Sequence, residues 1–169
     1  HKTLLVFGIA LSFFYPTVGL GQSDNIFEGL KVTLCGTSSP IPAPGRAQAC
    51  VAIETPDHLF IVDAGSGSAA TAQLANIPQD KLRGILITHY HSDHISDIGD
   101  FNLNSWVAGR QAPLLVIGPE GADRVVDGLN MAYELDRGYR VAHHGADLLK
   151  PELGLSLIHI SEPTRLSTI

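Results

Sequence analysis

Three histidines and an aspartate stand within six consecutive residues, in the order H-x-H-x-D-H: His89-Tyr90-His91-Ser92-Asp93-His94. They follow an unbroken apolar run at 84–88, which is typical of a buried strand. His89 and His91 leave the strand end on one side, so their imidazoles can converge on a single ion. Asp93 and His94 come where the chain turns toward a helix, and they can serve a second ion. The pattern predicts a metal centre rather than a polar surface loop.

The segments around this motif alternate between strand and helix patterns. Short apolar runs bounded by turn formers predict strands at 29–35, 49–54, 59–62, 84–88 and 113–118. Helical spacing of apolar residues and capping residues predict helices at 68–74, 96–108 and 121–133. A loop rich in turn formers occupies 36–45, and a turn occupies 55–58. Strands that first cluster and then alternate with helices predict an α/β domain, in which helices cover a sheet.

The composition is that of one folded domain. The chain has 169 residues, of which 44% are hydrophobic and 17% charged, so there is enough apolar material for a core. Its formal charge of -6 gives no sign of the clustered Lys and Arg that bind nucleic-acid phosphates. We therefore expect no nucleic-acid partner.

The N-terminal segment has the pattern of a secretory signal peptide. Lys2 precedes a mostly apolar run at 4–15, and Gly19-Leu20-Gly21 supplies the small residues of a cleavage site. The run is shorter than the about 20 residues of a membrane-spanning helix. We predict a signal peptide at 1–21 and a protein exported to the periplasm or the cell exterior, with no stable membrane anchor.

The two cysteines, Cys35 and Cys50, lie in strand-like segments of one predicted hairpin. An exported protein could join them if their Cα atoms come within about 7 Å. They also fit as two small buried residues without a bridge. The sequence leaves both alternatives open.

The C-terminal segment 155–169 does not follow the pattern of the rest. Residues 155–165 resemble the translated read-through of a transposase adapter that is used to prepare sequencing libraries. We predict that 155–169 is not native, which leaves 22–154 as the folded domain and removes His159 from the candidate ligands.

The H-x-H-x-D-H order resembles the signature of the metallo-β-lactamase superfamily. Four segments narrow the resemblance to the branch of ribonuclease Z and arylsulfatase-like hydrolases: 34–42, 60–65, 87–99 and 115–121. The likeness covers about 30–150. It implies an αββα sandwich, of which this chain would hold the N-terminal half.

The resemblance also implies roles for individual residues. His89 and His91 would bind a first zinc ion, and Asp93 and His94 a second, with Asp93 also catalytic. Asp63, after the strand at 59–62, would hydrogen-bond the segment that carries the H-x-H-x-D-H motif, which we call the metal loop, and fix its geometry. The loop that borders the substrate would contain Gly36, Thr37 and Ser38.

His143 and His144 are not expected to complete the site, because the family's next ligand follows a later strand. The resemblance places a further His, a bridging Asp and a final His in the second half of the domain. We therefore expect the chain by itself to be inactive, and its sheet to have one uncovered face.

The function predicted for the full-length protein is zinc-dependent hydrolysis of an ester-like bond in a small molecule: a phosphodiester, a sulfate ester or a lactone. A ribonuclease Z-type tRNA 3′ endonuclease is an alternative, which the signal peptide and the acidic charge disfavour. An iron-dependent redox enzyme is another, since the same fold can hold iron. The intact motif argues against a non-catalytic module. A homodimer is one option for the oligomeric state.

Overall fold

The computed structural model describes residues 28–159, in which six strands form one sheet in the order of the sequence. The strands are β1 (Lys31–Gly36), β2 (Cys50–Glu54), β3 (Leu59–Val62), β4 (Leu82–Leu86), β5 (Leu114–Gly118) and β6 (Leu155–His159). The helices are α1 (Ser68–Leu74), α2 (Ser92–Ile95), α3 (Ile98–Val107), α4 (Ala122–Ala132) and α5 (Glu134–His144), with short 3-10 helices at Gln79–Lys81 and Pro151–Leu153. Every predicted strand and helix is present.

The sheet is antiparallel at its start and parallel from β3 onward. Strands β1, β2 and β3 pair antiparallel, and Thr55 closes the second turn by donating its N–H to the His58 carbonyl at 2.8 Å. The pairs β3–β4, β4–β5 and β5–β6 are parallel, so each needs a crossover that the helices provide. As a result, β3 and β4 end at the same edge of the sheet, which brings Asp63 beside Thr88.

One face of the sheet is buried beneath the helices. Ala52, Ile61, Ile85 and Val116 are paired across four neighbouring strands, and each is at most 1% exposed. The same cluster includes residues of α1, α3 and α4: Ala72, Phe101 and Val126. Burial of one large apolar side chain stabilises the fold by about 1.5–3 kcal/mol, so this cluster is the core.

The opposite face of the sheet carries apolar side chains that stay partly exposed. One row runs across five strands through Leu34, Val51, Val62, Leu86 and Ile117, with Leu34 65% exposed. In an αββα sandwich a second sheet packs against such a face. The predicted fold class, the N-terminal half of this sandwich, is confirmed.

Cys35 and Cys50 form a disulfide across the first hairpin, with their Cα atoms 5.0 Å apart. Both residues are also buried, at 2% and 1% exposure. The structure therefore combines the two alternatives that the sequence left open.

Besides the single turn α2 and the two 3-10 helices, two elements were not predicted. Helix α5 contains no buried residue and is polar overall, although its apolar residues are spaced as on an amphipathic helix. Strand β6 lies in the segment 155–169, which the sequence analysis set aside, and it pairs in parallel with β5. An apolar segment of any origin can pair with an open sheet edge, so the predicted non-native origin stays a prediction.

The predicted signal peptide at 1–21 lies outside the described residues, as does 160–169. Among the helices formed by residues 28–159, none has the length and apolarity to cross a membrane.

Candidate metal centre

The H-x-H-x-D-H motif lies at the edge of the sheet where β4 ends. Ile87 still continues the pairing with β5, since its N–H donates to the Ile117 carbonyl at 2.7 Å. His91 is extended (φ −67°, ψ 148°), and the next residue begins α2. This change of backbone gathers the side chains, so that the His89 ring lies 4.7 Å from that of His91 and 4.0 Å from that of His94.

Asp63 is the centre of a hydrogen-bond network that holds this loop. It follows β3, is 7% exposed and has a left-handed backbone (φ 57°), which is uncommon for a residue other than glycine. Its carboxylate accepts the Thr88 N–H at 2.9 Å, the Thr88 hydroxyl at 2.8 Å and the His94 Nδ1–H at 2.8 Å. Asp63 thus contacts the metal loop where the resemblance implied that it would.

The network determines which ring nitrogens are free. His94 Nδ1 carries the hydrogen that it donates to Asp63, so its Nε2 keeps a lone pair in the neutral ring. The Thr88 hydroxyl gives its own hydrogen to Asp63 and can therefore accept one from His89 Nδ1, 3.0 Å away. Both rings then present an Nε2 with a free lone pair, and a metal-ligating histidine needs one ring nitrogen in that state.

The free donor atoms are spaced as ligands of metal ions are. Two tetrahedral zinc ligands at about 2.0–2.1 Å from the ion lie about 3.3 Å from each other. His89 Nε2 is 3.2 Å from His91 Nδ1, and His94 Nε2 is 3.5 Å from Asp93 Oδ2. Asp93 Oδ1 is buried and has no hydrogen-bond partner among residues 28–159, which is costly for a carboxylate unless a cation neutralises it. The donor set fits a metal.

The four side chains form two neighbouring pairs. Within residues 28–159, no group of three or more His, Cys, Asp or Glu side chains is arranged to hold one ion. The donor-atom distances join His89 with His91 and Asp93 with His94, although the His89 ring also lies 4.0 Å from that of His94. Their roles as ligands, and the catalytic role of Asp93, stay predictions.

The predicted substrate loop is attached to the turn that follows Asp63. The N–H groups of Thr37 and Ser38 both donate to the Ala47 carbonyl at 2.9 Å. Gln48 then ties the loop to Ser66: its N–H donates to the Ser66 carbonyl at 3.0 Å, and its Oε1 accepts the Ser66 N–H at 3.1 Å. Gly36 lies against Gln48 so closely that a Cβ would come 1.6 Å from the Gln48 carbonyl oxygen. The loop is therefore fixed beside the site, and its contact with substrate stays a prediction.

Gly65 and Asp97 hold this turn against the metal loop. A Cβ on Gly65 would lie 2.1 Å from the Asp93 carbonyl oxygen, so only glycine allows this approach. Asp97 donates its N–H to the Ala64 carbonyl at 2.8 Å and accepts the Ala69 N–H, in the first turn of α1, at 3.0 Å. Burial and the nearby Asp100 charge raise the pKa of Asp97, although the hydrogen bond from the Ala69 N–H lowers it.

Tyr90 stands between two of the predicted ligands and points away from them. Its hydroxyl donates to the Pro119 carbonyl, and its ring packs against the core. Burial and the Asp123 carboxylate raise the pKa of Tyr90. The ring also borders a cavity of about 320 Å³ with Glu120, Gly121, Arg124 and Val125.

His143 and His144 lie outside the cluster. Both are exposed at the C-terminal end of α5, with their rings 4.6 Å apart. The structure does not bring them to the motif.

Comparison with known proteins agrees with this geometry. A family model described as the metallo-beta-lactamase superfamily matches residues 43–165, more than half of the chain. The chain belongs to the metallo-beta-lactamase superfamily. Members of this superfamily generally bind metal ions, and the cluster supplies residues that fit them.

Solved structures of this superfamily share the fold. The metallo-beta-lactamase fold protein YhfI from Bacillus subtilis aligns with a TM-score of 0.54 at 22% identity, over 79% of this chain and 46% of its own. The short form of human tRNase Z aligns with a TM-score of 0.53 at 24% identity, over 62% of this chain and 39% of its own. Both likenesses support the predicted sandwich.

Sequence relatives fall in the predicted branch of the superfamily. The chain is 43% identical over 125 residues to ribonuclease Z of Mycobacterium marinum, which covers 72% of this chain and 44% of the relative. Ribonuclease Z of Mycobacterium bovis gives the same identity and coverage. The chain therefore spans less than half the length of these curated relatives.

These relatives correct one expectation. We predicted a small-molecule ester substrate and no nucleic-acid partner, and this is wrong, because the relatives at 43% identity are named as ribonucleases. The prediction relied on the net charge of -6 and on the predicted signal peptide at 1–21. Net charge averages over the whole surface, whereas at a metal site the bound ions are themselves the largest local positive charges.

Sequence reasoning missed Thr88, Gln48, Gly65 and Asp97. Thr88 could have been suspected because it directly precedes the motif, where a hydroxyl reaches both the next ring and the neighbouring strand end. The contacts of Gln48 and Gly65 join segments that are distant in the chain, and no local pattern reports them.

Proposed function

We propose that the protein containing this chain is a metal-dependent hydrolase that cleaves phosphodiester bonds in RNA, as a ribonuclease Z-type 3′ endonuclease of tRNA precursors. The observation that carries the proposal is the cluster of His89, His91, Asp93 and His94, oriented by Asp63, in a chain 43% identical to ribonuclease Z. A phosphodiester is an ester-like bond of the kind that such a site hydrolyses.

Two zinc ions are part of the proposal. His89 and His91 would hold one ion, and Asp93 and His94 the other, with the remaining ligands in the part of the relatives' length that this chain does not cover. Bound zinc ions would activate water and stabilise the negative charge that develops on the phosphate. They would also attract the RNA to an otherwise acidic chain.

The residues of this chain would act before the chemical step, by holding the site ready. Asp63 keeps the Nε2 atom of His94 free by accepting its Nδ1–H, and it keeps the Nε2 atom of His89 free through the Thr88 hydroxyl. The Gly36–Ser38 loop, fixed through Gln48, would border the RNA backbone. Asp93, besides binding metal, is the candidate for handling a proton during cleavage.

The test uses the full-length protein, a tRNA precursor with a 3′ trailer, and an unstructured RNA of equal length. We expect cleavage at the 3′ end of the tRNA and two equivalents of zinc by elemental analysis. His91→Ala should remove most of the activity and metal, while His144→Ala, a histidine on exposed α5, should keep both. A wild-type protein that binds metal but leaves both RNAs intact would refute the nuclease proposal.

Export is a separate proposal, and it competes with the tRNA precursor as substrate, because an exported enzyme would not meet tRNA precursors in the cytoplasm. The buried Cys35–Cys50 disulfide supports it, because disulfides persist mainly in oxidising compartments. Fractionation of cells that express the full-length gene would test it, and protein found only in the cytoplasm would contradict it. Protein found outside the cytoplasm would direct the search for substrate toward RNA in that compartment.

A further inference from the structure

The Tyr90 side chain lies in a slot between the metal loop and the β5–α4 turn, bordered by Gly118, Pro119 and Gly121. Its hydroxyl donates to the Pro119 carbonyl in the turn between β5 and α4. The neighbouring rings of His89 and His91 instead contact each other. The side chain between the two predicted ligands thus attaches their backbone to the β5–α4 turn.

The slot is shaped by two glycines. A Cβ on Gly118 would lie 3.0 Å from the Tyr90 hydroxyl oxygen and 3.4 Å from the Ile87 Cβ. A Cβ on Gly121, where φ is +96°, would lie 3.8 Å from the Tyr90 ring. The glycine at 118 therefore leaves room for a hydroxyl that a larger residue would crowd.

Both sides of the slot belong to rigid structure. Ile87, three residues before Tyr90, donates its N–H to the Ile117 carbonyl at 2.7 Å, next to Gly118. The Tyr90 ring packs against the buried core cluster. Movement of Tyr90 would move the backbone of both histidines, because they are its direct neighbours in the chain.

We infer that Tyr90 is a positioning residue, which sets the spacing of His89 and His91 by anchoring the loop between them to the β5–α4 turn. The inference rests on the proposed metal site. It does not depend on the identity of the substrate.

Metal affinity of the full-length protein, measured by chelator competition with zinc, tests the inference. Tyr90→Phe keeps the ring and removes the hydrogen bond, and we expect it to weaken zinc binding about twofold to tenfold. Tyr90→Ala should weaken it by about 10- to 100-fold, as expected when a group that orients a ligand is lost. The visible spectrum of the cobalt-substituted protein should change in both variants, because it reports ligand geometry. Tyr133→Phe is the matched control, since it removes a tyrosine hydrogen bond to Asp100 away from the motif, and it should bind zinc within about twofold of wild type.

Gly118→Ala gives an independent test with a rescue. The added methyl should push against the Tyr90 hydroxyl and weaken zinc binding about tenfold, by the same mechanism. In the Tyr90→Phe background the crowded oxygen is gone, so adding Gly118→Ala should cost at most about twofold more.

The outcomes separate this inference from the proposed function. Wild-type protein that binds no metal would overturn both. Wild-type protein that binds metal, with Tyr90→Phe showing wild-type affinity and cobalt spectrum, would overturn the positioning role alone. Equal losses from Gly118→Ala in both backgrounds would also overturn it, because the effect would then not pass through Tyr90.

Discussion

Two pairs of histidines in this chain have nearly the same ring geometry and opposite surroundings. The rings of His89 and His91 lie 4.7 Å apart at 73°, and those of His143 and His144 lie 4.6 Å apart at 89°. In the first pair, His89 is oriented through Thr88 by buried Asp63. The second pair ends a helix with no buried residue.

The difference teaches that close histidines are not enough to make a metal site. The first pair differs because Asp63 and Thr88 hold it by hydrogen bonds, which fix the ring nitrogen that stays free and the path of the backbone. Substitutions of the residues that hold the metal loop should therefore have large effects on stability or zinc affinity, and substitutions at His143 and His144 should have small ones. The following predictions test that contrast, from the largest expected effect to the smallest.

Gly65→Ala should have the largest effect. Its methyl would overlap the Asp93 carbonyl oxygen, at 2.1 Å, and the backbone on both sides would have to move. We expect a loss of about 3–5 kcal/mol in the free energy of unfolding, measured by urea denaturation of the full-length protein. Gly128→Ala is the matched control, because its Cβ in α4 meets nothing within 4 Å, and it should stabilise by about 0.5–1 kcal/mol. Equal stability of the two variants would contradict the close packing of Gly65 against the metal loop.

Asp63→Asn should follow, although it barely changes the shape of the side chain. Its oxygen can still accept the Thr88 N–H, but the amide would donate toward His94 and favour the ring form whose Nε2 carries the hydrogen. We expect zinc affinity to fall about 10- to 100-fold by chelator competition. Asp97→Asn keeps an acceptor for the Ala69 N–H and should hold zinc as wild type does. Full zinc affinity in Asp63→Asn would show that the ring forms are not set by this carboxylate.

Tyr133, which directly precedes α5, tests how strongly that end of the helix is held to α3. Its hydroxyl donates to Asp100 at 2.8 Å, and burial, the hydrogen bond to Asp100 and nearby carboxylates raise the pKa of Tyr133 from 10.0 to about 12. Between these pH values the folded state holds a proton that the unfolded state has lost, so the free energy of unfolding should fall as pH rises from 10.0 to about 12. Tyr133→Phe lacks this group and should lose less stability over that window in urea denaturation. Identical pH profiles would mean that the tyrosine titrates alike in both states.

The double variant His143→Ala, His144→Ala should have the smallest effect. Both side chains are exposed, so stability should stay within about 0.5 kcal/mol of wild type, and zinc content should not change. Elemental analysis beside thermal unfolding would check this. Loss of one zinc equivalent would show that the second pair does bind metal.

Sequence predicted most of the local structure because its signals are local. The strand at 59–62 and the helix at 68–74 have the predicted ends. Strand β4 begins and ends two residues earlier than the predicted 84–88, because it starts at Leu82, whereas Ile87 lies outside the strand and keeps one hydrogen bond to Ile117. Helix α5 was missed although its residues have an amphipathic spacing, because the segment is polar overall and none of its residues is buried.

The predictability of the site divides in the same way. The motif itself is a continuous pattern, so its four side chains could be named in advance. The contacts that prepare it, from Asp63 to Thr88 and from Gly65 to Asp93, connect separate segments and depend on strand order. The substrate prediction was wrong because it relied on net charge, which describes a whole chain whereas recognition depends on one site, and on a predicted signal peptide.

The Cys35–Cys50 disulfide makes a closed covalent ring of the chain between the two cysteines. Exposed Arg46 lies inside this ring, within reach of a protease such as trypsin. A cut after Arg46 would leave a single covalent molecule, still carrying Gly36, Thr37 and Ser38 beside the site, until a reductant separated the two pieces. The same nicked protein would therefore run as one band on a non-reducing gel and as two on a reducing gel.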